Sequence, residues 1–304
     1  MFVAAHRDRR TDGLRWGFEP ICRVLQVSPA SVRSALSRPP SQRAMSDEAL
    51  KPKIKEIFEA NYRVYGRRKV KAALAREGLI VDQDRIGRLM RNLNIRGAVR
   101  GRKVFTTHAD PEAVRAPDLV KRRFVAARPD ELWIADFTYA PTWAGMAYVA
   151  FIIDVYSRFV VGWHVATSMH TPLVMAALNQ AIWRRNHPLA GLIAHTDAGS
   201  QYTSIRYTER LAEIGARPSI GTVGDSYDNA MAESMIGLYK TELVAPMRPW
   251  RNASQLEIAT LPYVEWFNHQ RLHGELKMRT PQEIETEYRN THQHNLQVPT
   301  LVRT

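Results

Sequence analysis

The sequence has few of the residues that mark secreted or membrane proteins. It holds a single cysteine, Cys22, among 304 residues, so no disulfide can form within the chain. The longest uninterrupted apolar run, residues 146–153, is far shorter than the roughly 20 residues that a membrane span needs. Charges begin at Arg7, before a signal-peptide core could form. We therefore expect a cytoplasmic protein that does not cross a membrane.

Positive charge is abundant, and it is distributed unevenly. The net charge is +13 with a pI near 10.1. Residues 1–128 hold 29 Lys and Arg against 13 Asp and Glu, whereas residues 129–304 hold 14 against 17. A basic N-terminal part followed by a nearly neutral part indicates a polyanionic partner, most often nucleic acid. A soluble basic surface without a specific partner is the alternative.

Short helices separated by turns are predicted for the N-terminal part. One covers residues 16–25 and the next covers 30–37, with Ser28 as N-cap and Pro29 at the first helical position. This pair resembles a helix-turn-helix, and longer helices should follow from residues 46, 67 and 82 or 84. Each basic side chain alone is typical of a solvated face. Together they favour contact with the DNA backbone, and we expect DNA contacts from Arg33, Arg67, Arg68, Lys69, Lys71, Arg85, Arg88 and Arg91.

From residue 131 onward the pattern changes to strands. Three runs rich in β-branched and aromatic residues, 132–139, 146–155 and 158–165, are joined by short loops, so they should form an antiparallel meander. A helix at 171–185, a strand at 192–195, a helix at 204–215, a strand at 217–220 and a helix from about 228 follow. This order predicts an α/β fold with one mixed five-stranded sheet flanked by helices.

Three acids occupy informative places in this order. Asp136 lies within the first strand, Asp197 follows the fourth, and Glu233 lies in a helix with 35 residues between it and Asp197. If the first and fourth strands are neighbours and the helix packs on them, the three carboxylates meet and repel one another. A divalent cation would offset that repulsion, and carboxylates without Cys or His ligand spacing favour Mg²⁺ or Mn²⁺ over zinc.

Each acid also has a purely structural explanation. Asp136 would be a satisfied polar group, Asp197 a turn residue and Glu233 an exposed helical residue. The rival acids nearby are Asp154, expected in a turn before Ser157, together with Asp225 and Asp228, the latter expected to cap the helix of Glu233.

Five motifs carry a resemblance that extends over nearly the whole chain. They are LWIADFTY at 132–139, DVYSR at 154–158, HTDAGSQY at 195–202, SYDNAMAE at 226–233 and WFNHQRLH at 266–273. With the basic region of residues 61–103, they resemble the DDE transposases of bacterial insertion sequences, specifically the second-reading-frame (OrfB) products of the IS-three family, which are related to retroviral integrases.

The resemblance implies an RNase H-like core in which Asp136, Asp197 and Glu233 are catalytic and bind two Mg²⁺ ions, with Asp136 shared between them. It implies in-line attack on a phosphodiester, first by water and then by the freed 3′ hydroxyl, without a covalent enzyme intermediate. Lys240, seven residues after Glu233, matches a position that resembles a DNA-contacting lysine, although a solvated lysine is an equal alternative.

The sequence thus predicts a helical DNA-binding region at 1–96, a basic linker at 97–128, a catalytic core at 129–245 and a helical extension at 246–304. The expected partners are the element's terminal repeats, target DNA, further copies of the chain, and an upstream-frame (OrfA) portion. A structure-selective nuclease and a catalytically silent DNA-binding repressor are the alternative functions.

Overall fold

The computed structural model describes residues 2–99, 117–120, 124–197, 199–221 and 230–297. The chain divides into two compact units, Met1–Lys55 and Glu56–Thr304. The predicted DNA-binding region at 1–96 therefore includes the whole first unit and the beginning of the second. Most of the predicted linker, and the loop expected to precede the helix of Glu233, lie outside the described residues. No helix in the described ranges is long and apolar enough to cross a membrane.

The first unit is small and mostly helical. Its elements are α1 (Phe2–His6), β1 (Arg10–Thr11), β2 (Leu14–Arg15), α2 (Phe18–Val24) and α3 (Pro29–Ser37), followed by α4 (Gln42–Ala60), which continues into the second unit. A small core of Val3, Ile21, Cys22 and Val32 joins α1, α2 and α3. The predicted helix pair is confirmed, and α3 begins at Pro29 after the N-cap residue Ser28.

Two predictions for this unit are wrong. The region was expected to be all helical, but β1 and β2 form an antiparallel hairpin. The reason is the dipeptide Asp12-Gly13, whose positive φ angles of 52° and 79° suit a tight hairpin turn. Helix α4 begins at Gln42 and not at Ser46, because the hydroxyl of Ser41 accepts the backbone N–H of Ala44 and thereby caps an earlier first turn.

The second unit opens with the end of α4 and the helices α5 (Arg67–Arg76) and α6 (Gln83–Asn92). Asp82 caps α6 by accepting the backbone N–H groups of Asp84 and Arg85 at 2.8 and 3.3 Å. Ile86, Leu89 and Met90 form the buried apolar face of α6.

A five-stranded sheet forms the centre of the second unit. Its strands are β3 (Leu132–Thr142), β4 (Gly145–Asp154), β5 (Val160–Ala166), β6 (Ile193–Thr196) and β7 (Arg217–Ile220). The spatial order is β5-β4-β3-β6-β7. The antiparallel meander β3-β4-β5 confirms the prediction. The parallel pairing of β3 with β6 fulfils the condition under which Asp136 and Asp197 were expected to meet.

Helices cover both faces of this sheet. Alternate residues such as Trp133, Ala135 and Ile152 form a core with α7 (Thr171–Arg185) and α8 (Ile205–Glu213). On the opposite face, Phe151 packs edge-on against Tyr239 of α9 (Ala230–Tyr239), which contacts β3. Gly162 of β5 lies so close to α7 that a Cβ there would fall 2.2 Å from the carbonyl oxygen of Ala177.

The C-terminal part is helical, as predicted. A single π-helical turn (Lys240–Val244) continues α9 and is followed by α10 (Ala253–His269) and α11 (Pro281–Gln297). A reciprocal capping box starts α11: Thr280 and Glu283 each accept the other's backbone N–H. Helix α10 is capped by Asn252, which has the extended backbone that an N-cap requires and whose side chain accepts the N–H of Gln255.

Candidate active site

Asp136 and Asp197 lie side by side because of the register between β3 and β6. The parallel ladder pairs Leu132 with Ile193 and continues to Ala135 and Thr196. Asp136 directly follows Ala135 within β3, and Asp197 directly follows Thr196 at the end of β6. Because neighbouring strands are about 4.8 Å apart and side chains alternate between faces, both carboxylates emerge on the same face of the sheet.

Glu233 reaches the same place from above the sheet. It lies in the first turn of α9, the helix that packs on β3. The pKa of Asp136 is raised well above its ordinary value, first by burial and then by the negative charges of Asp197 and Glu233, and Lys240 opposes the rise. Asp197 and Glu233, the two other acids predicted from the sequence, are therefore both within electrostatic reach of Asp136.

The backbone next to each aspartate fixes its side chain. One oxygen of Asp136 accepts the N–H of Phe137 at 2.7 Å, and one oxygen of Asp197 accepts the N–H of Gly199 at 3.1 Å. A Cβ at Gly199 would lie 3.0 Å from the Oδ1 atom of Asp197 and 2.8 Å from the side-chain oxygen of Gln201. Glycine at 199 thus leaves room for the carboxylate of Asp197. The pKa of Asp197 is raised by burial, which this hydrogen bond and the nearby His195 partly offset.

The three acids do not form a ready-made metal cage. Among the described residues, no set of three or more His, Cys, Asp or Glu side chains is arranged to hold a metal ion.

Tyr202 lies beside this site and was not predicted from the sequence. Its ring is 2% exposed and its hydroxyl has no hydrogen-bond partner among the described residues. Burial raises the pKa of Tyr202 well above its usual range, and the charges of Asp136 and Asp197 raise it further. The signal was available, because Tyr202 ends the motif that contains Asp197.

Lys240 lies at the other side of the site. It starts the π-helical turn after α9, and its ammonium nitrogen is 4.9 Å from the ring centroid of Tyr139 on β3. Its positive charge opposes the rise in the pKa of Asp136, so Lys240 lies near the acids. Tyr139 is a second residue that the sequence reasoning missed.

The rival acid Asp154 has a structural role. It is fully buried, and its carboxylate accepts the N–H and hydroxyl of Ser157, each at 2.8 Å, as the predicted turn requires. It also lies in a buried ion network in which Arg185 pairs with Glu285 at 2.7 Å. The other two rivals, Asp225 and Asp228, lie outside the described residues.

The basic residues predicted to contact DNA are not equivalent. Arg68, Lys71 and Arg91 are exposed. The exposed Arg67 bonds to Asp84 at 3.0 Å, and Arg33 of the first unit bonds to Glu19 at 2.6 Å. Arg85 and Arg88, on α6, are partly buried.

Lys69 is less exposed than the other basic residues of α5 that were predicted to contact DNA. Its ammonium lies 5.1 Å from the ring centroid of Tyr65. Burial and the nearby charge of Arg271 lower the pKa of Lys69 to about 7. A lysine in that environment packs within the chain, which the helical pattern of α5 did not reveal.

Comparison with known protein families decides the identity. An integrase core domain model matches residues 126–226, a second integrase core domain model matches 214–281, and an HTH-like domain model matches 45–103. The transposase for insertion sequence element IS629 of Shigella sonnei is 45% identical over 279 residues, which cover 90% of this chain and 93% of that one. The chain belongs to the IS-three family of insertion-sequence transposases.

A second relative supports the same family. The putative transposase for insertion sequence element IS986/IS6110 of Mycobacterium tuberculosis is 48% identical over 268 residues, covering 87% of this transposase and 96% of the relative. Among solved structures, the HTLV-2 integrase catalytic core domain in complex with magnesium is similar at 18% identity and a TM-score of 0.40, covering 53% of this chain and 99% of that one.

Family membership confirms the predicted fold class and the predicted function. The transposase has an integrase-like core with a mixed five-stranded sheet, preceded by an HTH-like helical region. It is a polynucleotidyl transferase that acts on DNA in transposition.

Proposed function

We propose that Asp136, Asp197 and Glu233 are the catalytic carboxylates of the transposase and that they hold two Mg²⁺ or Mn²⁺ ions. The observation that carries the proposal is the register of β3 and β6, which brings Asp136 beside Asp197, together with the position of Glu233 in the first turn of α9, which packs on β3. Burial and the charges of Asp197 and Glu233 raise the pKa of Asp136 in agreement with it. Asp136 is an acid in strand β3 of a DNA strand transferase, and two other acids raise its pKa. Such an acid is typical of a catalytic group.

The donor set fits a hard divalent cation. All three side chains offer carboxylate oxygens, which Mg²⁺ prefers, and their mutual repulsion is the condition that a cation relieves. When bound, two such ions activate the attacking oxygen and stabilise the leaving oxygen of a phosphodiester. The pairing of Asp136 with Asp197 across adjacent strands makes these two the rigid part of the site, and Glu233 joins them from α9.

The proposed reaction has two steps at the same site. In the first, a water oxygen attacks the phosphorus at the element's end, and the 3′ oxygen leaves as a hydroxyl. In the second, that hydroxyl attacks a phosphorus of target DNA, and the target's own 3′ oxygen leaves. Both steps are in-line displacements at phosphorus and need no covalent enzyme intermediate, so positioning and charge stabilisation are what the protein supplies.

DNA contacts would come from the exposed cations. Arg68, Lys71 and Arg91 are available on the HTH-like helices, and Lys240 adjoins the acids. Arg67, Arg33, Arg85 and Arg88 would join them when DNA phosphates compete for their present contacts, whereas the packed Lys69 would not. Replacing Arg68 and Lys71 with Gln should reduce the salt dependence of binding by about two released counterions.

We further propose that the active assembly is a homo-oligomer on DNA, because two element ends must be brought together before joining. An upstream-frame portion would complete the recognition of those ends. Light scattering with and without terminal-repeat DNA tests the first point. Binding by the chain alone, compared with a fusion to the upstream frame, tests the second.

The catalytic proposal is tested with labelled element ends in Mg²⁺. Asp136→Asn, Asp197→Asn and Glu233→Gln should bind the ends but neither nick nor join them. The matched control is Glu209→Gln, an exposed acid on α8, which should retain both activities. Full joining by any of the three variants would remove that residue from the mechanism. Cleavage without joining by the wild type would favour a nuclease, and binding without cleavage would favour a silent repressor.

A further inference from the structure

Helix α5, the first of the two HTH-like helices in the second unit, is held at both ends by the C-terminal part of the chain. Before α5 begins, the hydroxyl of Tyr65 accepts the backbone N–H of Leu272 at 2.8 Å and donates to the carbonyl of Gln270 at 3.3 Å. Where α5 ends, Arg76 donates two hydrogen bonds to the carboxylate of Glu283, at 2.8 and 2.9 Å. A helix of this length spans about 15 Å, and with both ends held it cannot swing about either one.

Aromatic packing supports the first of these attachments. The ring centroid of Tyr62 lies 4.7 Å from that of Trp266 and 5.7 Å from that of Tyr263, both on α10. The indole of Trp266 also donates its N–H to the side chain of Asn61 at 3.1 Å. Trp266 and Tyr65 are almost completely buried. Buried aromatic rings whose polar atoms are hydrogen-bonded are typical of a stable interface.

The elements that hold α5 are themselves anchored to the catalytic core. Asn268 of α10 makes two hydrogen bonds with the backbone of Val160 on the edge strand β5, at 2.8 and 3.1 Å. Glu285 of α11 accepts two hydrogen bonds from Arg185 of α7, each at 2.7 Å. Since α6 packs on α5, both HTH-like helices are connected to the sheet through packed elements. The connection along the chain, residues 93–131, is thus not the only one between α6 and β3.

We propose that α5, α6 and the catalytic carboxylates of the same chain act as one rigid body, which fixes the number of base pairs between the DNA segment bound by the helices and the phosphate that is cut. The exposed Arg68, Lys71 and Arg91 on these helices would hold the DNA. The inference rests on the proposed DNA contacts and on the proposed catalytic role of the acids. It adds a requirement on the substrate, namely the spacing between its two recognised parts.

A rigid connection and a flexible one respond differently to inserted base pairs. About five inserted base pairs turn the phosphate by half a helical turn, to the far side of the duplex, and about ten return it to the same side roughly 34 Å further along. A rigid body reaches neither position unless the DNA is strongly twisted or bent. A flexible connection would reach the second position, because it lies on the original side of the duplex.

The test measures nicking in Mg²⁺ of element ends with no insertion, or with about five or ten base pairs inserted between the cleavage site and the segment that the helices cover. That segment is the one whose DNase I protection is lost in Arg68→Gln/Lys71→Gln. The wild type should nick the original phosphate at least about tenfold more slowly with either insertion. Nicking that recovers with the longer insertion, nicking that is indifferent to both, or protection that does not depend on Arg68 and Lys71 would overturn the proposal.

Variants at the two attachments separate positioning from stability. Tyr65→Phe/Arg76→Glu weakens both, because the hydroxyl is lost and a second carboxylate then faces Glu283. Its preference for the end without an insertion should fall to under about threefold. Arg76→Lys, which keeps the charge, and the control Arg206→Glu, at an exposed position on α8, should keep the preference within about twofold of the wild type.

The preference is a ratio of two rates, so a mere loss of folded protein does not change it. Slower nicking of every end by Tyr65→Phe/Arg76→Glu, with an unchanged preference, would therefore overturn the proposal. The catalytic proposal fails separately, because it requires only that Glu233→Gln nick none of the ends, whatever their spacing.

Discussion

Replacing Asp136 with Asn is expected to stabilise the metal-free transposase while abolishing its activity. In the wild type, folding brings the carboxylate of Asp136 beside those of Asp197 and Glu233. For two unit charges about 5 Å apart at an effective dielectric constant of about 20, Coulomb's law gives roughly 3 kcal/mol of repulsion. Since Lys240 offsets part of it, we expect the variant to gain about 1–3 kcal/mol in the free energy of unfolding at neutral pH.

The pH dependence of this gain follows from the direction of the pKa shift. Because the folded-state pKa of Asp136 is raised, the folded protein holds this proton more tightly than the unfolded chain does. Below the unfolded pKa of about 3.9, both states are protonated and the variant gains nothing. The gain grows as the pH rises through the raised folded-state pKa and is complete above it.

Urea unfolding measures this effect directly. Wild type, Asp136→Asn and the control Glu209→Gln are unfolded in EDTA at pH 7.5 and at the lowest pH where all three fold, and again in Mg²⁺ at pH 7.5. The advantage of Asp136→Asn should shrink at low pH, and Mg²⁺ should stabilise the wild type more than the variant. A less stable Asp136→Asn in EDTA at pH 7.5 would refute the reasoning that burial and the neighbouring acids together disfavour the ionised form of Asp136 in the folded state.

Three further predictions concern stability and are read from the same urea titration. Arg271→Met should lower the free energy of unfolding by about 3–5 kcal/mol, because the buried Glu242, which bonds to Arg271 at 2.6 Å, would be left without its counter-charge. A loss under 1 kcal/mol would contradict this. Gly162→Ala should lower the free energy of unfolding by about 1–3 kcal/mol or more, because the added methyl group clashes with α7. An unchanged urea midpoint would show that α7 moves away freely. Tyr202→Phe should leave the free energy of unfolding unchanged or raise it, since the deleted hydroxyl has no hydrogen-bond partner among the described residues. A loss above 1 kcal/mol would reveal such a partner.

The meander at the centre of the core could be predicted from the sequence, because short loops require antiparallel neighbours and the structure confirms them. The meeting of Asp136 and Asp197 depended on the condition that the first and fourth strands are neighbours, which local rules do not fix and which the β3–β6 register fulfils. The approach of Glu233 depended likewise on its helix packing on β3, as it does.

What the sequence did not reveal depends on contacts between distant segments. Lys69 was interpreted as a surface cation, yet residues about 200 positions away make its environment, since Tyr65 beside it accepts the N–H of Leu272 at 2.8 Å. Arg185 and Glu285 are also far apart in the sequence, and their pairing joins α7 to α11. Periodicity indicates which face of a helix is buried but not which element covers it.

Single-turnover strand transfer tests the central claim most directly. A pre-cleaved element end with a free 3′ hydroxyl is incubated with target DNA and Mg²⁺, and DNA binding is measured in the same samples. The account predicts that Glu233→Gln binds the end like the wild type and joins none of it, while Glu209→Gln joins it at the wild-type rate. Joining by Glu233→Gln at a rate close to that of Glu209→Gln would contradict the claim that three carboxylates act together at this site.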